Sequence, residues 1–303
     1  MGMSGFTESV KKNGINILFN EPMSRHTTFR IGGNADVFIN IQTEEELIFC
    51  ITTAKQENIP YFVCGKGSDL LVSDGGIEGA VFCLLDMKGI EISGNMVFVK
   101  AGQSMQTLCL ELQKSGLSGL EFAYGIPGTL GGAVYMNAGA YGGEIADRIV
   151  SVRYLDKSGA VKEIKKEDMC LGYRSSIFQT NGGVILSAVF ELENGDSAEI
   201  LDRMNEYLKR RKEKQPLEFP SAGSVFKRPE GNFAGTLIEK SGLKGEKIGG
   251  AKVSEKHAGF IINIGNATSG DVRALIEKIQ KKVFLDSKVM LQPEVIFVGR
   301  WEE

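Results

Sequence analysis

The sequence is poor in the residues that build metal centres and crosslinks. It has two histidines, His26 and His257, far apart, and five cysteines, Cys50, Cys64, Cys83, Cys109 and Cys170, with no C-x-x-C spacing. A His/Cys metal site has almost no ligands to draw on, so metal catalysis is not expected. The odd cysteine count and the apolar runs around most of the thiols predict reduced core thiols rather than a disulfide framework. Long apolar runs are also missing: the most apolar stretches, 80–85 and 259–264, fall far short of the roughly 20 residues that cross a bilayer. Residues 1–13 lack the apolar core of a secretory signal, so no membrane insertion and a cytoplasmic location are expected. Charge of one sign is absent too. With 35 Lys and Arg against 38 Asp and Glu, the net charge is -3, which gives no field to gather nucleic acid or anionic lipid. No repeat, low-complexity tract or long linker appears.

What the chain has in excess is glycine, 38 of 303 residues, where an average usage of roughly 7% gives about 21. Its length allows about two domains and a cleft. Residues 35–41 alternate like a strand, 43–57 open on an N-cap threonine with an acidic first turn and run with helical period, and 61–64 form a short β run before Gly65. That is a β-α-β unit closed by a glycine turn. From residue 79 the pattern is strand-rich (80–84, 96–100, 149–155, 161–164, 184–192). One helix, 104–115, and a glycine-dense loop, 124–143, interrupt it. Residues 197–214 read as a charged amphipathic helix and mark a candidate domain joint. Helices at 233–241 and 269–285 and strands at 259–264 and 295–298 then make a further unit. The whole reads as α+β.

Two glycine loops carry the chemistry. Gly65, Lys66, Gly67, Ser68, Asp69 and Leu70 directly follow a strand, and two glycines around one cation let backbone N–H groups turn toward a phosphate, though for this loop alone a plain tight turn is the favoured reading. The loop is neither G-x-G-x-x-G nor G-x-x-x-x-G-K-[ST], which argues against a Rossmann dinucleotide site and a P-loop. The second loop holds Gly125, Ile126, Pro127, Gly128, Thr129, Gly131, Gly132, Ala133, Asn137, Ala138 and Gly139. So few packing side chains leave it disordered by composition unless a ligand or close backbone packing organises it. A pyrophosphate with a flat ring is the functional reading, and a packed crossover is the structural one.

The two loops, G-x-G-S-D-L-L and G-I-P-G-T-L-G-G-A-x-x-M-N-A-G-A-Y-G, resemble the FAD-binding pattern of the PCMH/vanillyl-alcohol-oxidase-type flavoproteins. Within that superfamily the chain is most similar to the UDP-N-acetylenolpyruvoylglucosamine reductases. The segments 26–33, 172–178, 220–227 and 293–295 match that family in order. The resemblance implies a two-lobed PCMH-type FAD-binding domain (lobes 1–82 and 83–200) followed by a smaller α/β substrate-binding domain (201–303). It implies non-covalent FAD held by the two loops, NADPH as hydride donor, and reduction of the enolpyruvyl ether of UDP-N-acetylglucosamine to UDP-N-acetylmuramate for the bacterial cell wall.

Read alone, Arg174, Ser224 and Glu294 are an ion-pairing arginine, a turn serine and a solvated glutamate. The resemblance implies that they are catalytic, Arg174 and Glu294 against the substrate carboxylate and Ser224 as proton donor. Tyr173, Lys214, Lys227 and Arg228 are implied to contact substrate. The basic run 209–214 is either a solvated helix end or part of the site for the UDP diphosphate. Asp69 and Arg228 stand where relatives commonly have asparagine. The short stretch between Arg174 and residue 197 points to the subgroup without a substrate-closing loop (type II), and a monomer is expected. Another PCMH-type oxidoreductase, or a non-catalytic flavin-binding protein, are the competing readings; the nicotinamide donor shows no motif of its own.

Overall fold

The helix Glu44–Gln56 shows how local sequence sets the first elements. The Thr43 hydroxyl accepts the Glu46 N–H at 3.2 Å, three glutamates fill the first turn, and Leu47, Cys50, Ile51 and Ala54 are buried. The cap satisfies an orphan amide and the acids complement the helix dipole. The strand Tyr61–Cys64 follows and pairs in parallel with Ile77–Cys83, Tyr61 opposite Ala80 and Cys64 opposite Cys83. This is the β-α-β unit that the sequence predicts, ending at Gly65.

The computed structural model describes residues 2–301. The chain forms two compact units. The first is drawn from the stretches ending at Leu18, Phe38–Lys66 and Gly79–Arg211, and the second from Phe19–Val37, Gly67–Glu78 and the chain from Lys212 onward. The strands Asn34–Asn40 and Ile77–Cys83 each begin in the second and end in the first.

The first unit has a five-stranded antiparallel sheet in the order Val161–Lys165, Ile149–Leu155, Val184–Glu191, Met96–Lys100, Ile90–Ser93. Val97, Val99, Val152, Leu155 and Phe190 alternate into its core, as a half-buried sheet requires. A helix not expected from the sequence, Met3–Lys12, buries Phe6 and Val10, one turn apart, with the Phe6 ring 6.4 Å from that of Phe82. Two anchors in ten residues make too weak a period to stand out.

The glycine-dense stretch 124–143 departs from the expected loop. It contains a short helix, Leu130–Tyr135, and a hairpin in which Gly139–Ala140 pairs with Gly143–Glu144. Tyr141 (φ +55°) and Gly142 (φ +89°) form its turn, the positive-φ pair that a two-residue hairpin needs. Close packing explains other glycines: a Cβ on Gly143 would lie 2.6 Å from the Phe122 ring, and one on Gly131 3.1 Å from the Ala101 Cβ. The backbone itself therefore orders this segment.

In the second unit, the sheet Lys247–Ile248, Ala251–Val253, Ile261–Asn263 packs with the helices Ala234–Lys240 and Ser269–Ser287 around Phe29, Leu71, Val225, Ile238, Val272 and Ile276. Thr268 and Asp271 close a capping box on the longer helix, and Asp74 accepts from the Ser269 N–H, the Ser269 hydroxyl and the Gly270 N–H. The strand Ile296–Val298 returns in parallel against Leu70–Val72. All five cysteines are free, but the expectation of core thiols fails at Cys170, which is exposed at a positive-φ turn; the other four are buried. Burial pushes the Cys50 thiol up to about 12. Among the described residues no helix is long and apolar enough to cross a membrane.

Candidate active site

In the first unit the start of the first glycine loop meets the second. A Cβ on Gly65 would fall 2.3 Å from the Thr129 Oγ1, so the start of one loop lies directly on the other. Thr129 precedes the helix Leu130–Tyr135, whose start is tied down by the Leu130 N–H on Gln103 O and the Gly131 N–H on Ala101 O. Gly132, in contrast, is exposed, and a Cβ there would meet nothing nearer than 3.8 Å. At Gly132 the backbone is thus open and free of a side chain, the kind of place a phosphate can approach closely. Lys66 and Pro127 are exposed, while Gly125, Ile126, Gly128, Ala138 and Gly139 are half-buried and Ala133 is buried.

Asn137 is fully buried and its side chain serves the protein: Nδ2 donates to Gly172 O at 3.0 Å and Oδ1 accepts the Ala146 N–H at 2.9 Å. Gly172 opens the turn that presents Arg174. Gly172 and Ser175 form an isolated bridge, Gln179 Nε2 donates to both Arg174 O and Tyr135 O, and Arg174 itself sits at φ +51°. A left-handed arginine costs energy and persists only where neighbours over-determine it. Its Nη2 donates to Gly139 O at 3.1 Å and its guanidinium lies 5.1 Å from the centroid of the exposed Tyr173 ring. Arg174 is therefore fixed to the second glycine loop at two points, through Asn137 and through Gly139.

Arg211, which the sequence offers only as one member of the basic run 209–214, touches the same loop. A Cβ on Gly125 would lie 3.1 Å from Arg211 Cδ, and Arg211 Nε is buried with no hydrogen-bond partner. Burial pushes its guanidinium below the ordinary arginine value, and the Tyr141 hydroxyl opposes this only weakly. Tyr141 stacks on Tyr207, one turn before Arg211 on the helix Ser197–Lys214, at 4.8 Å and 3°. A cation this enclosed lacks a counter-charge, which an anionic ligand would supply. In sequence it is one of four consecutive basic residues, with nothing to single it out.

In the second unit the segment around Ser224 is extended between two partners. Ser224 bridges Phe260, the Val225 N–H donates to Gly259 O at 2.9 Å, and the Glu294 N–H donates to Val225 O at 2.7 Å. Ser224 and Glu294, 70 positions apart in sequence, are thereby neighbours, both half-buried. The Ser224 hydroxyl donates to Phe226 O at a long 3.3 Å. The Lys227 N–H donates to Gln292 O, and the exposed Arg228 guanidinium lies 4.6 Å from the Phe233 centroid. Lys214 is exposed at the end of its helix. In the first loop, Gly67 is closed over by His26: a Cβ there would meet His26 O at 2.2 Å, and His26 Nε2 lies 2.9 Å from Glu21 Oε1. Ser68 and Asp69 are half-buried and Leu70 is buried in its strand. Among the described residues no group of three or more His, Cys, Asp or Glu is placed to hold a metal ion.

Comparison with known proteins agrees with this geometry. Residues 35–165 match the FAD binding domain family, and residues 215–298 match the family of the UDP-N-acetylenolpyruvoylglucosamine reductase C-terminal domain. The chain is 50% identical over 284 residues to the UDP-N-acetylenolpyruvoylglucosamine reductase of Clostridium botulinum strain Hall, covering 94% of this chain and 93% of that one. The chain belongs to the UDP-N-acetylenolpyruvoylglucosamine reductase family. The relative from Clostridium perfringens strain SM101 is 47% identical over 95% of each chain. The crystal structure of the reductase from Thermus caldophilus superposes with a TM-score of 0.81 at 35% identity, covering 94% of this chain and 99% of that one. The α+β architecture of this family, an FAD-binding domain followed by its own C-terminal domain, extends over 94% of the chain.

Proposed function

We propose that this chain reduces the enolpyruvyl ether of UDP-N-acetylenolpyruvoylglucosamine to the lactyl ether of UDP-N-acetylmuramate, a step of bacterial peptidoglycan synthesis, using NADPH and non-covalent FAD. The observation that carries the reading is the 50% identity maintained over 94% of the chain to a reductase so named. The residues suit the flavin: the open backbone at Gly132 suits its diphosphate, and Arg211 beside Gly125 suits an anion. His26, engaged with Glu21, suits a non-covalent site.

Flavin held there would supply, once reduced by NADPH, the hydride that the enolpyruvyl methylene carbon accepts. Negative charge then develops on the α-carbon and the adjacent carboxylate of the substrate. Arg174 meets that carboxylate with a planar donor fork, pre-set by its strained turn, and Glu294 in its protonated form hydrogen-bonds the other side. Both interactions strengthen as charge builds, so they lower the barrier rather than tighten ground-state binding. Ser224 donates its proton to the α-carbon and recovers one from solvent. A hydroxyl is a weak acid, but the enediolate-like partner is a strong base.

Tyr173, Lys214, Lys227 and Arg228 are the proposed contacts to the sugar nucleotide. Lobes 1–82 and 83–200 are assigned to the flavin and 201–303 to the substrate. Residues 175–196 hold only the short helix Phe178–Asn181 and two strands, which fits the type II subgroup. A monomer working in the cytoplasm accords with substrates that are small molecules of that compartment. Ser224→Ala tests the assignment: flavin reduction by NADPH should keep its rate, while reoxidation by the sugar nucleotide should slow by about a hundredfold or more. Equal rates in both half-reactions would remove Ser224 from the mechanism.

A further inference from the structure

The turn that carries His257 and Gly259 lies directly against Ser224, and its hydrogen bonds are built around the imidazole. Ser254 Oγ accepts the N–H groups of Lys256 and His257, at 3.2 and 3.3 Å, and His257 O accepts the Phe260 N–H at 2.9 Å. His257 Nδ1 accepts the Gly259 N–H at 3.1 Å, while Gly259 O accepts the Val225 N–H at 2.9 Å. The peptides on either side of Gly259 therefore hold the imidazole at one end and the strand of Ser224 at the other.

The spacing around Gly259 is close. A Cβ on this residue would lie 3.0 Å from His257 Cε1, 3.2 Å from Nδ1 and 3.3 Å from Ser224 Oγ, so ring and hydroxyl flank the same α-carbon. The ring packs edge-on against Phe260, centroids 4.9 Å apart at 71°. Because Nδ1 accepts, the ring is neutral with its proton on Nε2. Burial pushes the imidazole below its ordinary value, against a backbone hydrogen bond at His257 itself that acts to raise it, with Lys244 lowering and Glu239 raising it further. The Ser224 hydroxyl's own bond, donated to Phe226 O, is a long 3.3 Å.

We propose that His257 is a positioning residue for Ser224: its Nδ1 fixes the Gly259 amide, and Gly259, lacking a side chain, sets the Ser224 hydroxyl at the distance and freedom that proton delivery needs. The proposal rests on the reading of Ser224 as proton donor. Sequence alone leaves His257 as a lone histidine before Ala-Gly; the fold gives it a task.

The test uses FAD-loaded enzyme in anaerobic stopped flow, with the two half-reactions measured separately. His257→Leu removes the acceptor at similar bulk, and His257→Asn restores one, because an asparagine oxygen accepts from the N–H two residues on in an Asx turn. His257→Leu should slow reoxidation by the sugar nucleotide by about tenfold, the rate equivalent of one lost hydrogen bond, and leave flavin reduction by NADPH unchanged. His257→Asn should recover most of that loss. Gly259→Ala, which keeps the histidine and puts a methyl between ring and hydroxyl, should show the same selective defect, and covers the case in which the leucine variant does not fold. Ser224→Ala is run alongside. Wild-type reoxidation in both His257→Leu and Gly259→Ala, with Ser224→Ala still slow, overturns the positioning role alone. Equal loss in the leucine and asparagine variants also overturns it, because the ring would then contribute only volume. No effect of Ser224→Ala overturns the reading of Ser224 beneath it.

Discussion

Arg211 is a half-buried cation whose Nε has no partner, packed on Gly125 one helical turn after Tyr207, which stacks on Tyr141. Such a group is expensive in the ligand-free protein and becomes an asset when an anion arrives. Arg211→Met should therefore raise the stability of the apoprotein by about 1 kcal/mol in thermal melts. The same variant should weaken binding of a diphosphate-containing ligand by roughly tenfold to a hundredfold, the worth of a charge-assisted hydrogen bond. Fluorescence titration of apoprotein with FAD, and separately with UDP, tells which ligand is affected; unchanged affinity for both would assign Arg211 to packing. At this scale the sequence was legible only where a motif singled out a residue. Arg174, Ser224 and Glu294 were singled out through the segments around them and are proposed here as catalytic. Arg211 was hidden in a basic run, and Asn137, named for the cofactor, has its side chain occupied in holding the turn of Arg174.

At the scale of elements, the joined glycine loops depend on a missing methyl. Gly65 is not in a left-handed conformation, so its requirement is space: a Cβ would overlap Thr129 Oγ1, and Thr129 is 3% exposed with little room to turn away. Gly65→Ala should cost about 1–3 kcal/mol of stability and reduce FAD affinity in equilibrium dialysis. A variant of native stability and affinity would show that the loops need not touch. A second element-level contact is the clamp that holds the short helix Glu121–Ala123, just before the second loop, against Ser197–Lys214. Burial pushes the Glu121 carboxyl up, but the Arg203 guanidinium at 2.8 Å, the Ser118 hydroxyl and the Gly119 N–H outweigh it and hold it below the usual carboxylate range. A carboxyl lowered in the folded state stabilises the fold fully above its unfolded value and loses that contribution as pH falls through the folded one. Arg203 is 41% exposed, which limits the gain; the melting advantage of wild type over Glu121→Gln should be about 1–2 kcal/mol at neutral pH. It should shrink on acidification, and an advantage constant from neutral to acid pH would contradict the clamp. Strong capping and clean alternation made elements such as Glu44–Gln56 and Met96–Lys100 legible. The helix Leu130–Tyr135 was not, because three of its six residues are glycine or alanine and its order comes from backbone contacts with 101 and 103.

At the scale of the whole molecule, the α+β class and the family were legible because motifs recur in order along the chain. The course of the chain through its two units was not. The second unit gathers Phe19–Val37 and Gly67–Glu78 together with the chain after Lys212. The features that place them there are long-range: Gly33 against Asp74 O, Asp74 on Ser269, Leu70–Val72 beside Ile296–Val298, and Asn263 Nδ2 on Phe29 O. None of these leaves a periodic signal, since each pairs residues remote in sequence. The glycines at such crossings account for part of the glycine excess that first suggested a ligand site.

The central claim, that this chain moves hydride from NADPH through flavin to an enolpyruvyl sugar nucleotide, is tested most directly by reducing the FAD-loaded protein with NADPH without oxygen and mixing it with UDP-N-acetylenolpyruvoylglucosamine while watching the flavin absorbance. Rapid return of the oxidised flavin spectrum with formation of UDP-N-acetylmuramate is the predicted result. Flavin that stays reduced in the presence of the sugar nucleotide would contradict the account.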